Sequence, residues 1–166
     1  MTLSYYHAII PSPVGDLTLV AGDIFLLAVL WPNDVGGRVK IPLGENNPGH
    51  PVLSKAWSQL EEYFKGTRKV FDIPLMMVGT DFQKKVWGEL LKIPYGQTRS
   101  YLDVANAMGD ARAVRAVGAA NGKNPISIIV PCHRVVGSNG NLTGFAGGIS
   151  AKSILLRLEG QQADLF

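Results

Sequence analysis

Cysteine is nearly absent from this sequence, which holds Cys132 alone among 166 residues. A single cysteine excludes a disulfide within the chain and a structural zinc site built on two or four cysteines. Long apolar runs are missing too, because no stretch reaches the roughly 18 residues that a membrane helix needs. The N-terminal segment also lacks the basic start and apolar core of a secretory signal. We therefore expect no contact with a membrane and a reducing, cytoplasmic environment.

Charged residues are also few, at 17% of the chain, whereas 46% of the residues are hydrophobic. This composition excludes a mainly disordered protein and suits one domain, or two small ones. The charge is uneven along the chain. Residues 1–79 carry six Lys/Arg against seven Asp/Glu, and residues 80–166 carry ten against six. We therefore expect an anionic partner to bind the second half.

Residues 1–79 are typical of a small sheet followed by one helix. Three runs rich in β-branched, aliphatic and aromatic residues predict an antiparallel meander: 5–10, 17–21 and 25–31. Residues 32–51 are rich in proline and glycine and predict an irregular loop. Apolar residues then recur at helical spacing from Leu53 to Phe64, and residues 70–73 suggest an edge strand. We expect a domain boundary after residue 79.

Residues 80–166 predict a mainly helical domain. Thr80 and Ser100 each begin a pattern with capping-box spacing, and Asp110 suits the cap of a third helix that runs from residue 111 to about 121. The first of these helices carries one apolar stripe, made of Phe82, Val86, Leu90 and Ile93. The second and third helices, separated by a short turn, have the spacing of a helix-turn-helix. A last helix is expected over residues 150–158.

Cys132 is the main candidate for chemistry. The apolar run before Pro131 predicts that Cys132 lies at the end of a buried strand. His133 and Arg134 follow directly, and cationic or basic neighbours favour the nucleophilic thiolate. A lone cysteine is also commonly a small core residue, so both interpretations stay open. Glu159 ends the last helix, where a carboxylate is unfavourable, and either a partner such as His133 or solvation explains it.

The third predicted helix is built almost wholly from small residues, with Arg112 and Arg115 three positions apart. Small residues allow a close approach to another surface, and two arginines suit a phosphate backbone. Few side chains here could identify base edges, which favours binding independent of sequence. A buried helix with solvated arginines is the alternative. Asn124, in the turn that follows, is a candidate for bracing two backbone segments.

The pattern around Cys132 resembles the O6-alkylguanine–DNA alkyltransferase family (methylated-DNA–protein-cysteine methyltransferases). The matching pieces keep their order and spacing across about half the chain. They are TDFQKKVW (80–87), IPYGQ (93–97), SY (100–101), RAVG (115–118), Asn121, NP (124–125), IVPCHRVV (129–136), GFAGG (144–148) and LRLEG (156–160). The N-terminal residues resemble the family only in outline.

This resemblance implies an α/β (α+β) fold. Domain 1–79 would be a small sheet plus a helix similar to ribonuclease H, and domain 80–166 would be mainly helical with a helix-turn-helix. The implied activity is direct-reversal repair of double-stranded DNA that contains alkylated bases. The protein would flip out O6-alkylguanine, with O4-alkylthymine as a second candidate, and move the alkyl group onto Cys132 once per molecule. No cofactor or metal is implied, and we expect a monomer, with cooperative assembly on DNA left open.

The resemblance also assigns roles to individual residues. Cys132 would accept the alkyl group, His133 would act as the base through a water, and Glu159 would polarise His133. Asn124 would brace the reactive segment, and Tyr101 would help to rotate the nucleotide and donate to the guanine. Arg115 would fill the space left by the flipped base; the further DNA contacts would come from Arg112, Ala116, Asn121 and Arg134. The pocket would be lined by Val135, Gly144, Phe145, Ala146 and Gly147.

Three other functions remain as alternatives. A relative that only marks damaged DNA is disfavoured because Cys132 is present. A cysteine hydrolase would need an oxyanion hole and a facing histidine that the pattern does not suggest. A plain helix-turn-helix regulator would need side chains that read bases, which the third helix lacks.

Overall fold

The computed structural model describes residues 3–34, 38–140, 142 and 145–160. The chain forms two compact units, Met1–Val78 and Gly79–Phe166. Among the described residues, no helix combines the length and apolar character needed to cross a bilayer.

The first unit is built on a four-stranded sheet. The strands are β1 (Tyr6–Ile10), β2 (Leu17–Ala21), β3 (Leu26–Leu30) and β4 (Glu45–Asn46), in the order β3-β2-β1-β4. The first three strands form the predicted antiparallel meander, in which Tyr6 pairs with Ala21 and Ile10 with Leu17. β4 runs parallel to β1 and lies in the segment predicted to be an irregular loop.

Helix α1 (Pro51–Phe64) packs against this sheet. Its buried face is formed by Leu53, Ala56, Gln59, Leu60 and Tyr63. A second apolar cluster joins Val20, Ala28 and Leu30 of the sheet to Val39, with Ile41 and Leu43 packed against it. Since β2 and β3 are covered in this way, every residue in both strands is buried.

The second unit is mainly helical. Its helices are α2 (Asp81–Leu90), α3 (Tyr101–Ala107), α4 (Val114–Gly122) and α5 (Ile149–Leu158), with 3-10 turns at Ala111–Ala113 and Cys132–Arg134. Two short parallel strands, β5 (Arg99–Ser100) and β6 (Val135–Val136), pair with each other. Together with the sheet and helix of the first unit, these elements confirm the predicted α/β fold class.

The helix-turn-helix is formed by α3 and α4, which pack on each other and on α2. Both predicted capping boxes are present: Thr80 caps α2 with Gln83, and Ser100 caps α3 with Asp103. Trp87 of α2 is buried, and its Nε1 donates to the carbonyl oxygen of Ala120 at 2.8 Å. This bond fixes the position of α4 relative to α2.

Two sequence predictions about local structure are wrong. Residues 70–73 form no strand; the chain instead meets β3 further on, through an isolated bridge between Leu75 and Leu26. Phe82 is not part of the buried stripe of α2, because 36% of it is exposed. The buried face of α2 is made by Val86, Trp87 and Leu90.

Gly88 provides a stability prediction. It lies inside α2, and a Cβ added there meets no atom within 4 Å. Gly88→Ala is therefore expected to raise the free energy of unfolding by about 0.5–1 kcal/mol, because alanine reduces the freedom of the unfolded chain. Chemical denaturation of both proteins measures this difference.

Gly79→Ala is the matched contrast. A Cβ at Gly79 would lie 2.5 Å from the ring of Trp87, so this substitution is expected to destabilise the protein. A Gly88→Ala variant that unfolds more easily than the parent would contradict the prediction.

Candidate active site

The segment that leads to Cys132 is held by the side-chain amide of Asn124. Its Nδ2 donates to the carbonyl oxygen of Val130 at 2.8 Å, and its Oδ1 accepts from the backbone N–H of Ile126 at 3.0 Å. Asn124 is 1% exposed. The amide therefore joins both ends of the segment, as a brace would.

Within this segment the chain turns twice. Ile129 N–H donates to Ser127 O at 2.9 Å around Ile128, whose φ is 74°. A left-handed conformation is strained for a β-branched residue, by about 1–3 kcal/mol. A second three-residue turn forms around Pro131, where Cys132 N–H donates to Val130 O at 2.8 Å. The predicted strand that ends at Cys132 is therefore wrong, because side-chain and turn bonds replace ladder pairing.

Cys132 begins the 3-10 turn and is only 3% exposed. Its carbonyl oxygen accepts from the backbone N–H of Val135 and, at 3.4 Å, from Nδ2 of Asn121. Turns on both sides and these two donors fix the backbone that carries the thiol. Cys132 is thus held in place by buried bonds rather than by a strand.

His133, Arg134 and Glu159 form a buried network directly after Cys132 in the 3-10 turn and at the end of α5. Nε2 of His133 lies 2.7 Å from Oε2 of Glu159. Arg134 donates two hydrogen bonds to the same carboxylate, from Nε to Oε1 at 2.7 Å and from Nη2 to Oε2 at 3.1 Å. Its Nη1 donates to the carbonyl oxygen of Ile93 at 2.7 Å. The network explains why a carboxylate ends α5, because two partners hold it there.

This network sets the ionisation of its members. Burial alone would raise the pKa of Glu159, but the hydrogen bonds and charges of His133 and Arg134 outweigh it and lower the pKa to about 2. Burial lowers the pKa of His133, and the bond to Glu159 offsets only part of this effect. We therefore assign a neutral His133 that donates through Nε2 to an ionised Glu159.

The opposite ring nitrogen is the one suited to accept a proton. Among the described residues, Nδ1 of His133 is buried without a hydrogen-bond partner. With Nε2 committed to Glu159, Nδ1 carries the lone pair of the neutral imidazole. A cysteine followed by such a histidine can be deprotonated to a thiolate.

The turn at residues 93–97 supports the network, a role that the sequence did not reveal. Arg134 lies over the ring of Tyr95, 5.8 Å from its centroid, and the Tyr95 hydroxyl donates to Leu158 O at 3.1 Å. Gly96 has φ 82°, and a Cβ there would lie 3.1 Å from the carbonyl oxygen of Glu159. Glycine therefore suits both the conformation and the close approach.

Two residues predicted to contact DNA are buried instead. Arg134 is 7% exposed and donates through three of its nitrogens to Glu159 and Ile93, so its guanidinium is not presented to a phosphate. Asn121 is 4% exposed and contacts the Cys132 carbonyl. Both predictions are corrected: Arg134 bonds to Glu159 and to the Ile93 carbonyl, and Asn121 bonds to the backbone of the segment that carries Cys132.

The other predicted DNA contacts lie on the helix-turn-helix. Arg115 and Ala116 are exposed on α4. The side chain of Arg112 is 94% exposed, and its nitrogen lies 3.5 Å from Asp110. Tyr101 begins α3, is half-buried, and lies beside Gly118 of α4. The structure therefore leaves both arginines accessible to a large anionic partner.

The predicted pocket residues are described only in part. Gly144 lies outside the described residues. Val135 is fully buried in β6, Phe145 and Gly147 are half-buried, and Ala146 is exposed. Among the residues that the structure describes, no three histidine, cysteine, aspartate or glutamate side chains gather in a way that could hold a metal ion.

Family models match almost the whole chain. Residues 5–77 match the ribonuclease-like domain of 6-O-methylguanine DNA methyltransferase, and residues 81–161 match the DNA-binding domain of the same family.

Individual relatives give the same result. The chain is 48% identical to a methylated-DNA–protein-cysteine methyltransferase of Methanosarcina acetivorans, over 93% of this chain and 98% of that protein. It is 54% identical to the constitutive enzyme of that name from Bacillus subtilis, over 93% and 94%. The structure of Mycobacterium tuberculosis OGT in complex with DNA matches with a TM-score of 0.86 and 46% identity, covering 93% of this chain and 92% of that one.

Fold and site together define a class: a helix-turn-helix unit that carries a buried cysteine next to a histidine–carboxylate pair. With these matches, the chain belongs to the 6-O-methylguanine DNA methyltransferase family.

Proposed function

We propose that this protein repairs DNA directly, by moving an alkyl group from O6 of guanine onto Sγ of Cys132. One observation supports this proposal above all. Cys132 and His133 are adjacent and buried, and Nε2 of His133 is hydrogen-bonded to Glu159. The names of the relatives, which describe transfer from methylated DNA to a protein cysteine, support the same reaction.

The reaction is a displacement at the alkyl carbon. His133 takes the thiol proton on Nδ1 through a water molecule, and Glu159 stabilises the imidazolium that results. The thiolate forms a carbon–sulfur bond while the bond from that carbon to guanine O6 breaks. The guanine anion that leaves takes up a proton from solvent, to which the imidazolium of His133 releases the thiol proton, and donation from Tyr101 would help to stabilise the negative charge on the guanine. Because a thioether is stable, each molecule reacts once.

DNA would be held through the helix-turn-helix. Arg112 and Arg115 are exposed on the helical segment rich in small residues, which suits binding to phosphates in any sequence context. The target base lies inside the duplex, so it must be flipped out, at a cost of a few kcal/mol. Arg115 would fill the space that the base leaves. Action as a monomer in the cytoplasm stays a prediction.

Mass spectrometry tests the function most directly. Protein is mixed with duplex DNA containing O6-methylguanine, and the intact mass and the peptide carrying Cys132 are measured. We expect a gain of one methyl group per molecule, located on Cys132, with no further turnover. An unmodified protein that still binds the DNA would instead indicate a relative that marks damage, and one that does not bind would exclude the proposal.

Arg115→Ala tests the flipping role. We expect a several-fold slower transfer from duplex DNA, with little change in the reaction with the free base O6-methylguanine, since a free base needs no flipping. Single-turnover rates with both substrates measure the difference.

Arg112→Ala is the matched control. It is expected to weaken binding to all DNA sequences alike, and to reduce the slope of log K against log salt concentration by about one. Equal slowing of both substrates by Arg115→Ala would contradict the role in flipping.

A further inference from the structure

Lys152 is a buried lysine on the helix that packs against the turn carrying Cys132. It lies on α5, its residue exposure is 0%, and its Nζ has no hydrogen-bond partner among the described residues. Lysine is strongly hydrated in water, and a fully buried lysine is uncommon unless it is paired. A lysine in this state lowers stability, which is typical of a functional site.

The surroundings of Lys152 consist of an aromatic ring and two titratable groups. Nζ lies 5.7 Å from the ring centroid of Phe145. α5 packs against the 3-10 turn that carries Cys132 and His133, and both of these groups interact electrostatically with Lys152. Arg134 lies in the same 3-10 turn and Glu159 lies at the end of α5, but these two side chains pair with each other.

These interactions favour one distribution of charge. Burial lowers the pKa of Lys152 to about 8, and a negative charge on Cys132 opposes this effect. Lys152 is therefore still mostly protonated at neutral pH. After burial, which is the main cause, the charge of Lys152 contributes to lowering the pKa of His133. A positive Lys152 leaves Cys132 as the group best placed to carry the compensating negative charge, whether the thiol proton has moved to His133 or to solvent.

We infer that Lys152 is a positioning residue for Cys132, whose buried ammonium is the counter-charge that holds the thiol in its reactive thiolate form. An interaction between two groups is mutual: if the thiolate stabilises the ammonium, the ammonium stabilises the thiolate to the same extent. The contribution of the Lys152–Cys132 pair to DNA repair rests on the proposed function. The effect on the reactivity of the thiol does not.

Lys152→Met separates this role from a structural one. Methionine has a similar length and an unbranched, apolar side chain, so it fills the same space without charge. We expect the variant to melt at or above the temperature of the parent, because a buried charge is removed and Cys132, unlike an arginine, can become neutral by taking up a proton. At the same time Cys132 should become less reactive at neutral pH. A purely structural lysine would instead give a lower melting temperature and an unchanged reactivity of Cys132.

The reaction with iodoacetamide measures the thiolate without DNA, and the single cysteine makes the signal unambiguous. Rates are measured from pH 5 to pH 10, well below the melting temperature. We expect the midpoint of the pH profile in Lys152→Met to rise by about one pH unit or more, which lowers the rate about tenfold at pH values below the midpoint of the parent. Lys152→Arg, which keeps the charge, should return the midpoint toward that of the parent.

Lys85→Met is the matched control, because Lys85 is exposed on α2 and should leave the midpoint unchanged. A Lys152→Met midpoint equal to the parent's would overturn the inference. So would a raised midpoint that Lys152→Arg does not lower. Since no DNA is used, these results stay informative even if the protein fails to accept a methyl group from O6-methylguanine.

Discussion

A Glu159→Gln variant is expected to lose about 3–5 kcal/mol of unfolding free energy at neutral pH, because it leaves a buried charge without its partner. The Glu159 side chain is 1% exposed and accepts two bonds from Arg134, whose side chain is 8% exposed. Glutamine keeps the shape and can still accept from His133. What it removes is the negative charge that compensates the guanidinium.

The pH dependence of this loss follows from the pKa of Glu159, which is lowered from 4.5 to about 2 in the folded protein. A lowered pKa means that the ionised carboxylate stabilises the folded state above the unfolded-state pKa. This contribution declines as the pH falls from about 4.5 toward 2. The parent should therefore be far more stable than Glu159→Gln at pH 7, and the difference should shrink steadily below pH 4.5.

Chemical denaturation of both proteins at several pH values measures this difference. The double variant Arg134→Met/Glu159→Gln removes both charges and should be more stable than Glu159→Gln alone. Glu89→Gln breaks a pair with Lys92, which is 72% exposed, and should change stability by less than about 1 kcal/mol. If the double variant had a lower free energy of unfolding than Glu159→Gln, an unpaired Arg134 would not be the cause of the lost stability.

The parts of this fold that the sequence predicted are those set by local patterns. The capping boxes at Thr80 and Ser100 depend on residues three positions apart, and both form. The meander depends on β-rich runs separated by short turns, and it is present. The proximity of His133 and Glu159 was suggested because a carboxylate at the end of a helix needs an explanation. Their 2.7 Å contact provides one, although their roles in the reaction remain a proposal.

The errors arise where distant parts of the chain decide the structure. Residues 126–131 are as apolar as a strand, but the Asn124 amide bonds across them and closes turns instead. The resemblance places Arg134 among the DNA contacts, and arginine is usually exposed. Its burial is possible because Glu159 and the Ile93 carbonyl, 25 and 41 residues away in sequence, accept its hydrogen bonds.

Lys152 illustrates the same limit. In the sequence it is one lysine in a terminal helix, and such a residue is normally solvated. Only the packing of α5 against the 3-10 turn brings its ammonium within electrostatic range of Cys132. No pattern of spacing along α5 contains that information, because the contact depends on a turn about 20 residues earlier in the chain.

A Cys132→Ser variant is expected to lose alkyl transfer by at least about 1,000-fold while it keeps its affinity for DNA with O6-methylguanine. A serine hydroxyl is scarcely ionised near neutral pH, so the nucleophile is removed while its shape is kept. The exposed arginines of the helix-turn-helix, which would bind the DNA, are unchanged. Intact mass after incubation measures transfer, and fluorescence anisotropy with labelled duplex measures binding.

Alkyl transfer and DNA binding must both be measured for Cys132→Ser, because neither result alone identifies the acceptor. Loss of transfer with retained binding assigns the chemistry to Sγ of Cys132, because the fold and the DNA surface have then been shown to be intact. A melting temperature close to that of the parent is the necessary control, since Cys132 is 3% exposed and lies in a strained, tightly bonded segment. A methyl group found on the serine variant at the rate of the parent would mean that another side chain accepts it. Peptide mapping of that product would identify the residue, and the assignment of His133 and Glu159 as base and orienting carboxylate would have to be withdrawn with that of Cys132.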